Sequence, residues 1–214
     1  MKKDFKIQKP KYINELEGIN DYYKDIFLSD KIKDKIVDNL EIVEKEDKGI
    51  VIDSCIFRNT KFINCNLKNM DLTDTRFENC DLSNIDFSNS SIQRVEFINC
   101  KLVGAKFDES HLKDVVFNEC VGKYSNFSYG ELKKVEFNLC NFQESVFQQV
   151  YIKNVYFIET NLSNTYFNKT SLYNVDLTTC NIDGIDSEIN DIAGVKVTAL
   201  QALELSKLLR ITII

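Results

Sequence analysis

Leu82, Phe87, Ile92 and Phe97 fall five residues apart within CDLSNIDFSNSSIQRVEFINC, the stretch from Cys80 to Cys100. An amphipathic helix repeats its apolar face about every 3.6 residues and a half-buried strand every two. Neither element accounts for a period of five. The series extends in both directions. Stepping by five from Ile52 meets Ile, Leu or Phe at every position up to Phe117. It skips Gly122, resumes at Phe127, runs to Ile182, skips Ser187 and ends with Ile192 and Val197. No residue is inserted or deleted along the way, so these central positions are one unbroken register.

Two residues before each centre sits a small or β-branched residue, as at Cys65, Thr75, Cys80, Ser90, Val95, Cys100, Ala105, Ser110 and Val115. The other three positions of each unit are mostly polar. A longer period lies beneath. Stepping by twenty from Ile52 gives Leu72, Ile92, Leu112, Leu132, Ile152, Leu172 and Ile192, all aliphatic. The same step from Phe57 gives Phe77, Phe97, Phe117, Phe137 and Phe157, then Leu177 and Val197. Four units therefore make one coil, and equivalent sides of successive coils stack at the strand spacing of ~4.8 Å. The expected fold is all-β: a quadrilateral β-solenoid with central and small residues inside and no room for a channel. Asn recurs two after the centre, at Asn59, Asn64, Asn69, Asn79, Asn84, Asn89 and Asn99, where a corner turn tolerates it. From Ile52 to Val197 the rod is roughly 35 Å long at ~4.8 Å per coil.

The ends differ in texture. Stepping back from Ile52 meets Asp47, then Ile42, Val37, Ile32 and Phe27, but Asp25, Asp30 and Lys35 hold the small positions. Residues 1–49 are expected to form an irregular N-terminal cap with one degenerate coil, and residues 50–197 the solenoid. Residues 198–214 are expected to form a C-terminal capping and dimerisation helix and a strand. In TALQALELSKLL, Thr198 and Gln201 make a capping box. Ala202, Leu205 and Leu209 share one side of that helix and Ala199, Leu200 and Leu203 another. One apolar face closes the solenoid, and the second calls for a partner, most simply another copy. The expected homodimer interface comprises Leu200, Leu203, Leu205, Leu208, Leu209 and Ile213.

The long register resembles the pentapeptide-repeat family over roughly Ile50 to Val197. That resemblance, not the spacing, implies a right-handed coil. GVKVTALQALELSKLL is similar to the C-terminal signature of Qnr-type quinolone-resistance proteins, especially those of Gram-positive bacteria, whose final coil is followed by a dimerising helix. The break CVGKYSNF, with Gly122 at a centre, is similar to one in that group. Arg210 departs from it, standing where a helix-ending glycine is expected.

Catalysis has nothing to stand on. The single histidine, His111, points outward and has no evident paired base. All seven cysteines (Cys55, Cys65, Cys80, Cys100, Cys120, Cys140, Cys180) occupy the small inward position. They lack metal-ligand spacing and are read as small buried hydrophobes. No glycine cluster forms a nucleotide fingerprint. No catalytic site, metal or cofactor is expected. No run approaches the ~18 apolar residues of a membrane span. The start has lysines but no apolar stretch behind them, which is unlike a signal peptide. A cytoplasmic protein is expected.

What remains is surface. A net charge of −6 opposes direct nucleic-acid binding. The side built on Phe57 to Val197 carries Glu78, Glu96, Glu119, Glu136, Glu159 and Asp176, one acid per coil. The side built on Ile52 to Ile192 carries Arg94, Lys113, Lys133, Lys134 and Lys153 among Asp114 and Glu131. Qnr-type proteins imitate duplex DNA, bind DNA gyrase or topoisomerase IV and relieve quinolone poisoning. The resemblance thus implies a type II topoisomerase partner and assigns it the acidic side. Mimicry is local at most: duplex DNA carries one charge per ~1.7 Å, whereas residues 52–197 hold 20 acids against 14 Lys and Arg. The unbroken register also leaves no room for the two loops of Gram-negative Qnr proteins. It is compatible with the loopless mycobacterial type, which inhibits gyrase more clearly than it rescues it, or with a scaffold for another partner.

Overall fold

The computed structural model describes residues 5–46 and 49–210. Its strands in chain order are β1 (Glu17–Gly18), β2 (Lys31–Lys33), β3 (Lys35–Asp38), β4 (Glu41–Val43), β5 (Val51–Asp53), β6 (Ile56–Arg58) and β7 (Lys61–Ile63). Five longer ones follow: β8 (Asp71–Glu78), β9 (Ser91–Ile98), β10 (His111–Asn118), β11 (Glu131–Asn138) and β12 (Tyr151–Ile158). From β2 onward every pairing is parallel with a register shift of twenty residues, as in Leu72↔Ile92 and Phe117↔Phe137. The chain is a β-solenoid of four-sided coils. The shift persists through Gly122, where Lys101, Val121 and Asn141 bridge in sequence.

The corners explain the polar positions. The residue two after each centre takes the left-handed conformation, from Asp34 (φ 53°) to Asn174 (φ 62°). That conformation favours Gly and Asn, and Asn holds many of these corners. Their amides also link coils: Asn99 donates to Asn79 at 2.8 Å and Asn79 to Asn59 at 3.3 Å. On two sides the corner is a tight turn in which the N–H three residues on donates to the central carbonyl, as from Ala105 to Leu102 at 3.0 Å. Between the other two sides the chain does not break. β8 to β12 run through that corner as eight-residue strands, giving one broad sheet face.

Two stacks of phenylalanine run through the interior beside columns of Leu and Ile. Phe57, Phe77, Phe97, Phe117, Phe137 and Phe157 lie nearly parallel, with ring centroids 4.9–5.1 Å apart. Phe107, Phe127 and Phe147 stack likewise at 4.8 and 4.6 Å. The two stacks meet edge to face, for example Phe117 with Phe127 at 6.2 Å and 89°. Both arrangements suit the ring quadrupole. At most places where the residue two before the centre is Cys, Ser or Thr, its thiol or hydroxyl turns back to the carbonyl of a centre in the preceding coil; Val95, Ala105 and Val115 fill the same place as buried apolar side chains. Cys100 donates to Phe77 O at 3.5 Å, Ser110 to Phe87 O at 2.8 Å and Thr160 to Phe137 O at 3.1 Å. Cysteine here is both filler and weak donor to a buried carbonyl.

All seven cysteines are free and buried. Burial pushes the Cys55 thiol up to about 12, and it raises Cys65 and Cys180 as well. No thiol is expected to react with a disulfide reagent in native protein at neutral pH, and all seven should react in denaturant. A native-state burst of reactivity would contradict the packing.

Regular pairing begins before residue 50. Residues 31–46 form a coil in the same register, with Val37 on Phe57 and Ile42 on Phe62. Before it, a five-residue π-helical turn at Tyr23–Phe27 buries Ile26. The opposite end is closed by α1 (Ala199–Ser206) and a short 3-10 turn at Lys207–Leu209. The capping box forms: the Gln201 N–H donates to Thr198 Oγ1 at 3.2 Å and the Thr198 N–H to Gln201 Oε1 at 2.8 Å. Gln201 Nε2 also donates to the Leu177 and Cys180 carbonyls, at 2.7 and 2.8 Å. One side chain thus caps both the helix and the open end of the sheet. Arg210 adopts the left-handed conformation (φ 54°) in which a glycine was expected.

Candidate protein-interaction surfaces

The N-terminal residues do not simply cap the rod. Residues 5–16 run lengthwise along the broad sheet face, across the strands, back towards the first coil. The Phe5 ring stacks on Tyr156 at 4.7 Å. The Gln8 N–H donates to Asp114 Oδ1 at 3.0 Å, the Lys11 N–H to Asp74 Oδ1 at 2.9 Å, and Asn14 Nδ2 to Asp34 Oδ2 at 2.8 Å. β1 then pairs with β3, Glu17 opposite Lys35. We call this segment the strap.

The strap changes the acidic side. Its six acids leave the five-residue unit from three different points, so they form no single ladder. Glu96, Glu136 and Asp176 precede a centre, Glu78 follows one, and Glu119 and Glu159 sit at corners. Glu96 and Glu136 are buried, at 7% and 8% exposure. Lys9 Nζ lies 4.0 Å from Glu96, and Arg76 lies 3.5 Å from it on the other side. Glu78 accepts from Arg58 at 2.9 Å and from Arg76 at 2.6 Å. Glu119 and Glu159 are exposed. Asp176 is half-buried and accepts from the Thr178 hydroxyl and N–H at 2.6 and 3.0 Å. Only part of the expected acidic side therefore meets solvent.

Carboxylates outside the expected acidic side hold the strap. Asp34, Asp74 and Asp114 recur every forty residues, at alternate coils of one corner column. Asp74 also receives two bonds from Arg94, both at 2.6 Å. Burial works to raise its carboxyl, but Arg94 and the Lys11 N–H outweigh it and hold it below the ordinary 3.8. A carboxyl depressed in the folded state contributes stability above its unfolded value and loses it as pH falls through the folded one. The strap's hold is expected to be complete above about pH 4 and to weaken below it. A Phe5→Trp fluorescence titration would check this, the chain having no other tryptophan. Unchanged emission down to the onset of global unfolding would exclude Asp74 as the latch.

The second surface is the C-terminal helix. Leu205 is buried and Leu208 half-buried against the core, so the chain itself occupies Leu205, which was expected at an interface between copies. Leu200, Leu203 and Leu209 are 77%, 54% and 51% exposed. Leu209, grouped with Leu205 in the sequence, turns away because the last turn tightens to a 3-10 helix. Ile213 lies outside the described residues. The coil beneath this helix is acidic: Asp176, Asp183, Asp186, Glu188 and Asp191 follow one another with no Lys or Arg between them.

The basic side is partly paired. Lys133 bonds Glu131 at 2.6 Å and lies 5.9 Å from the Tyr151 ring centroid. His111 Nδ1 is 3.2 Å from Glu131 on the surface. Among the described residues, no cluster of His, Cys, Asp and Glu is placed to hold a metal ion. No helix among them is long and apolar enough to cross a membrane.

A rod of stacked five-residue units, with a packed interior and two chemically distinct outer surfaces, defines a repeat scaffold. The chain belongs to the pentapeptide-repeat family: the family described as "Pentapeptide repeat region" matches residues 50–127, 90–145 and 130–206. No curated protein matches the chain. Among solved structures it is similar to a trypsin-treated form of QnrB1, a plasmid-mediated fluoroquinolone resistance protein. That match has 21% identity over 84% of this chain and 98% of that one, with a TM-score of 0.51. It is also similar to HetL, a pentapeptide repeat protein involved in heterocyst differentiation regulation from the cyanobacterium Nostoc sp. Strain PCC 7120. There the identity is 11% over 78% of this chain and 86% of that one, with a TM-score of 0.42. The likeness to QnrB1 is one of fold.

Proposed function

We propose that this protein is a non-catalytic, dimeric rod that binds a type II topoisomerase, DNA gyrase or topoisomerase IV, in the place of DNA and protects it from quinolones. The observation that carries the reading is the C-terminal end. Leu200, Leu203 and Leu209 offer an apolar helix face to a second copy, immediately above a coil whose five acids from Asp176 to Asp191 are accompanied by one cation, Lys196, whose backbone bridges to that of Asp176. Two rods joined there would place an acidic belt at the centre of a doubled rod, continued outward by Glu119 and Glu159. The fold likeness to QnrB1 supplies the partner class by analogy.

Supercoiling and cleavage assays of gyrase, with and without a fluoroquinolone, test it. Titrating the protein is expected to restore supercoiling and reduce drug-stabilised breaks. Inhibition with no rescue would make it a gyrase inhibitor instead. No effect in either assay would move the function to another partner. Reversing Asp183, Asp186 and Glu188 to Lys should abolish the effect while leaving the unfolding temperature unchanged. Leu200→Asp with Leu203→Asp should halve the mass seen by sedimentation; an unchanged mass would reject the helix as the dimer contact.

A further inference from the structure

The strap is bound as a peptide ligand is bound. Gln8, Lys11 and Asn14 are three residues apart, and their acceptors Asp114, Asp74 and Asp34 are forty residues apart. Forty residues are two coils, about 9.6 Å of rod, and three extended residues span about 10 Å. The repeat of the rod therefore matches the repeat of an extended chain lying across it. Two of the three bonds come from backbone N–H groups, which every residue except proline possesses. The bed is also anionic beneath its cover. Asp114 is 1% exposed, and its Oδ2 has no hydrogen-bond partner among the described residues. Glu96 and Glu136 are buried close by. The described part of the N-terminal segment complements this charge with Lys6, Lys9 and Lys11. At its far end Tyr156 offers a ring for stacking.

We propose that the broad face formed by β8 to β12 is a docking track for an extended, lysine-rich segment of a partner protein, with the strap as its tethered competitor. Corner carboxylates at alternate coils take a donor from every third residue, a backbone N–H at Asp74 and Asp114 and a side-chain amide at Asp34; Glu96 and Glu136 select lysine, and Tyr156 selects an aromatic residue at the end. Tethering gives the strap an effective concentration in the millimolar range. An outside segment binds well only when it is comparably presented or when the strap is released. The inference does not depend on the topoisomerase reading, because it concerns a different face.

The test uses the whole chain with a protease site placed between the exposed residues Asn14 and Glu15 and with Phe5→Trp as reporter. Cutting leaves every residue present. The cut segment is expected to leave reversibly on dilution, with a red shift of tryptophan emission, while the rod's unfolding transition persists. A synthetic peptide of alternating lysine and valine, matched to the strap in length, should displace it; the glutamate counterpart should not. Retention should fall about tenfold or more between about 0.05 and 0.5 M salt as the ion pairs are screened, and Lys9→Glu should weaken it. The proposal is overturned if the segment leaves only when the rod unfolds. It is equally overturned if the lysine peptide fails while the chain's own segment rebinds, which would make the face a closure within or between copies.

Discussion

Phe117→Ala is expected to destabilise the rod by about 3–5 kcal/mol, the cost of removing a fully buried aromatic side chain and leaving its cavity. Phe117 is 0% exposed and is stacked at 4.9 Å on both Phe97 and Phe137. It also meets Phe107, Phe127 and Phe142 edge to face, at 6.0, 6.2 and 5.8 Å. Neighbouring coils cannot collapse into the space, because backbone bonds fix their spacing on both sides. For a chain of this size the midpoint should fall by roughly 6–20 °C. Equilibrium denaturation of the variant beside Lys113→Ala, an exposed control expected within about 0.5 kcal/mol of the parent, checks it. A loss under about 1.5 kcal/mol would show that the two stacks repack, contrary to a close-packed interior.

The second large effect runs against the repeat. Gly122 stands at a central position where Leu or Phe is the rule. By the repeat alone, Gly122→Leu would complete the pattern. The structure predicts a clash instead. A Cβ at residue 122 would lie 2.2 Å from Phe142 Cε1 and 2.7 Å from two further ring carbons. Phe142, one coil on, has swung into the vacated space and packs edge-on against Phe137 at 5.0 Å. Gly122→Leu should therefore cost about 1–3 kcal/mol or more as overpacking. Adding Phe142→Leu should recover much of that, giving a coupling of about 0.5–3 kcal/mol in a double-mutant cycle. Additive behaviour would show that the two sites do not share one volume.

The same contrast separates what each level of description reaches. The five- and twenty-residue periods specified the coil, the phenylalanine columns and the inward cysteines, and the local spacing of Thr198 and Gln201 specified the capping box, because all of these are local or strictly periodic. A side chain whose neighbour is always twenty residues away advertises that neighbour in the sequence. The Gly122–Phe142 exchange is an exception within the pattern: the sequence shows the break at Gly122 but not which side chain fills it.

The interaction surfaces were only partly readable. Glu78, Glu96, Glu119, Glu136, Glu159 and Asp176 share a side of the coil, but their position within the unit decides where each carboxylate points. The strap then decides which of them meet water. Its anchors could have been noticed, since stepping by forty from Asp34 meets Asp74 and Asp114. Their partners could not: the donors at residues 8 and 11 are backbone N–H groups, which carry no residue signature.

By itself, then, the sequence determined the rod, because burial of a repeating apolar position against its own copies leaves one periodic solution. Only the tertiary structure decided which surface is free. That depends on a non-repeating segment returning across six coils, from Tyr156 to Lys35, through contacts that each join residues far apart in the chain. No local period encodes such contacts. Extended backbone and stacked coils simply share a common measure, about 10 Å for three residues and about 9.6 Å for two coils.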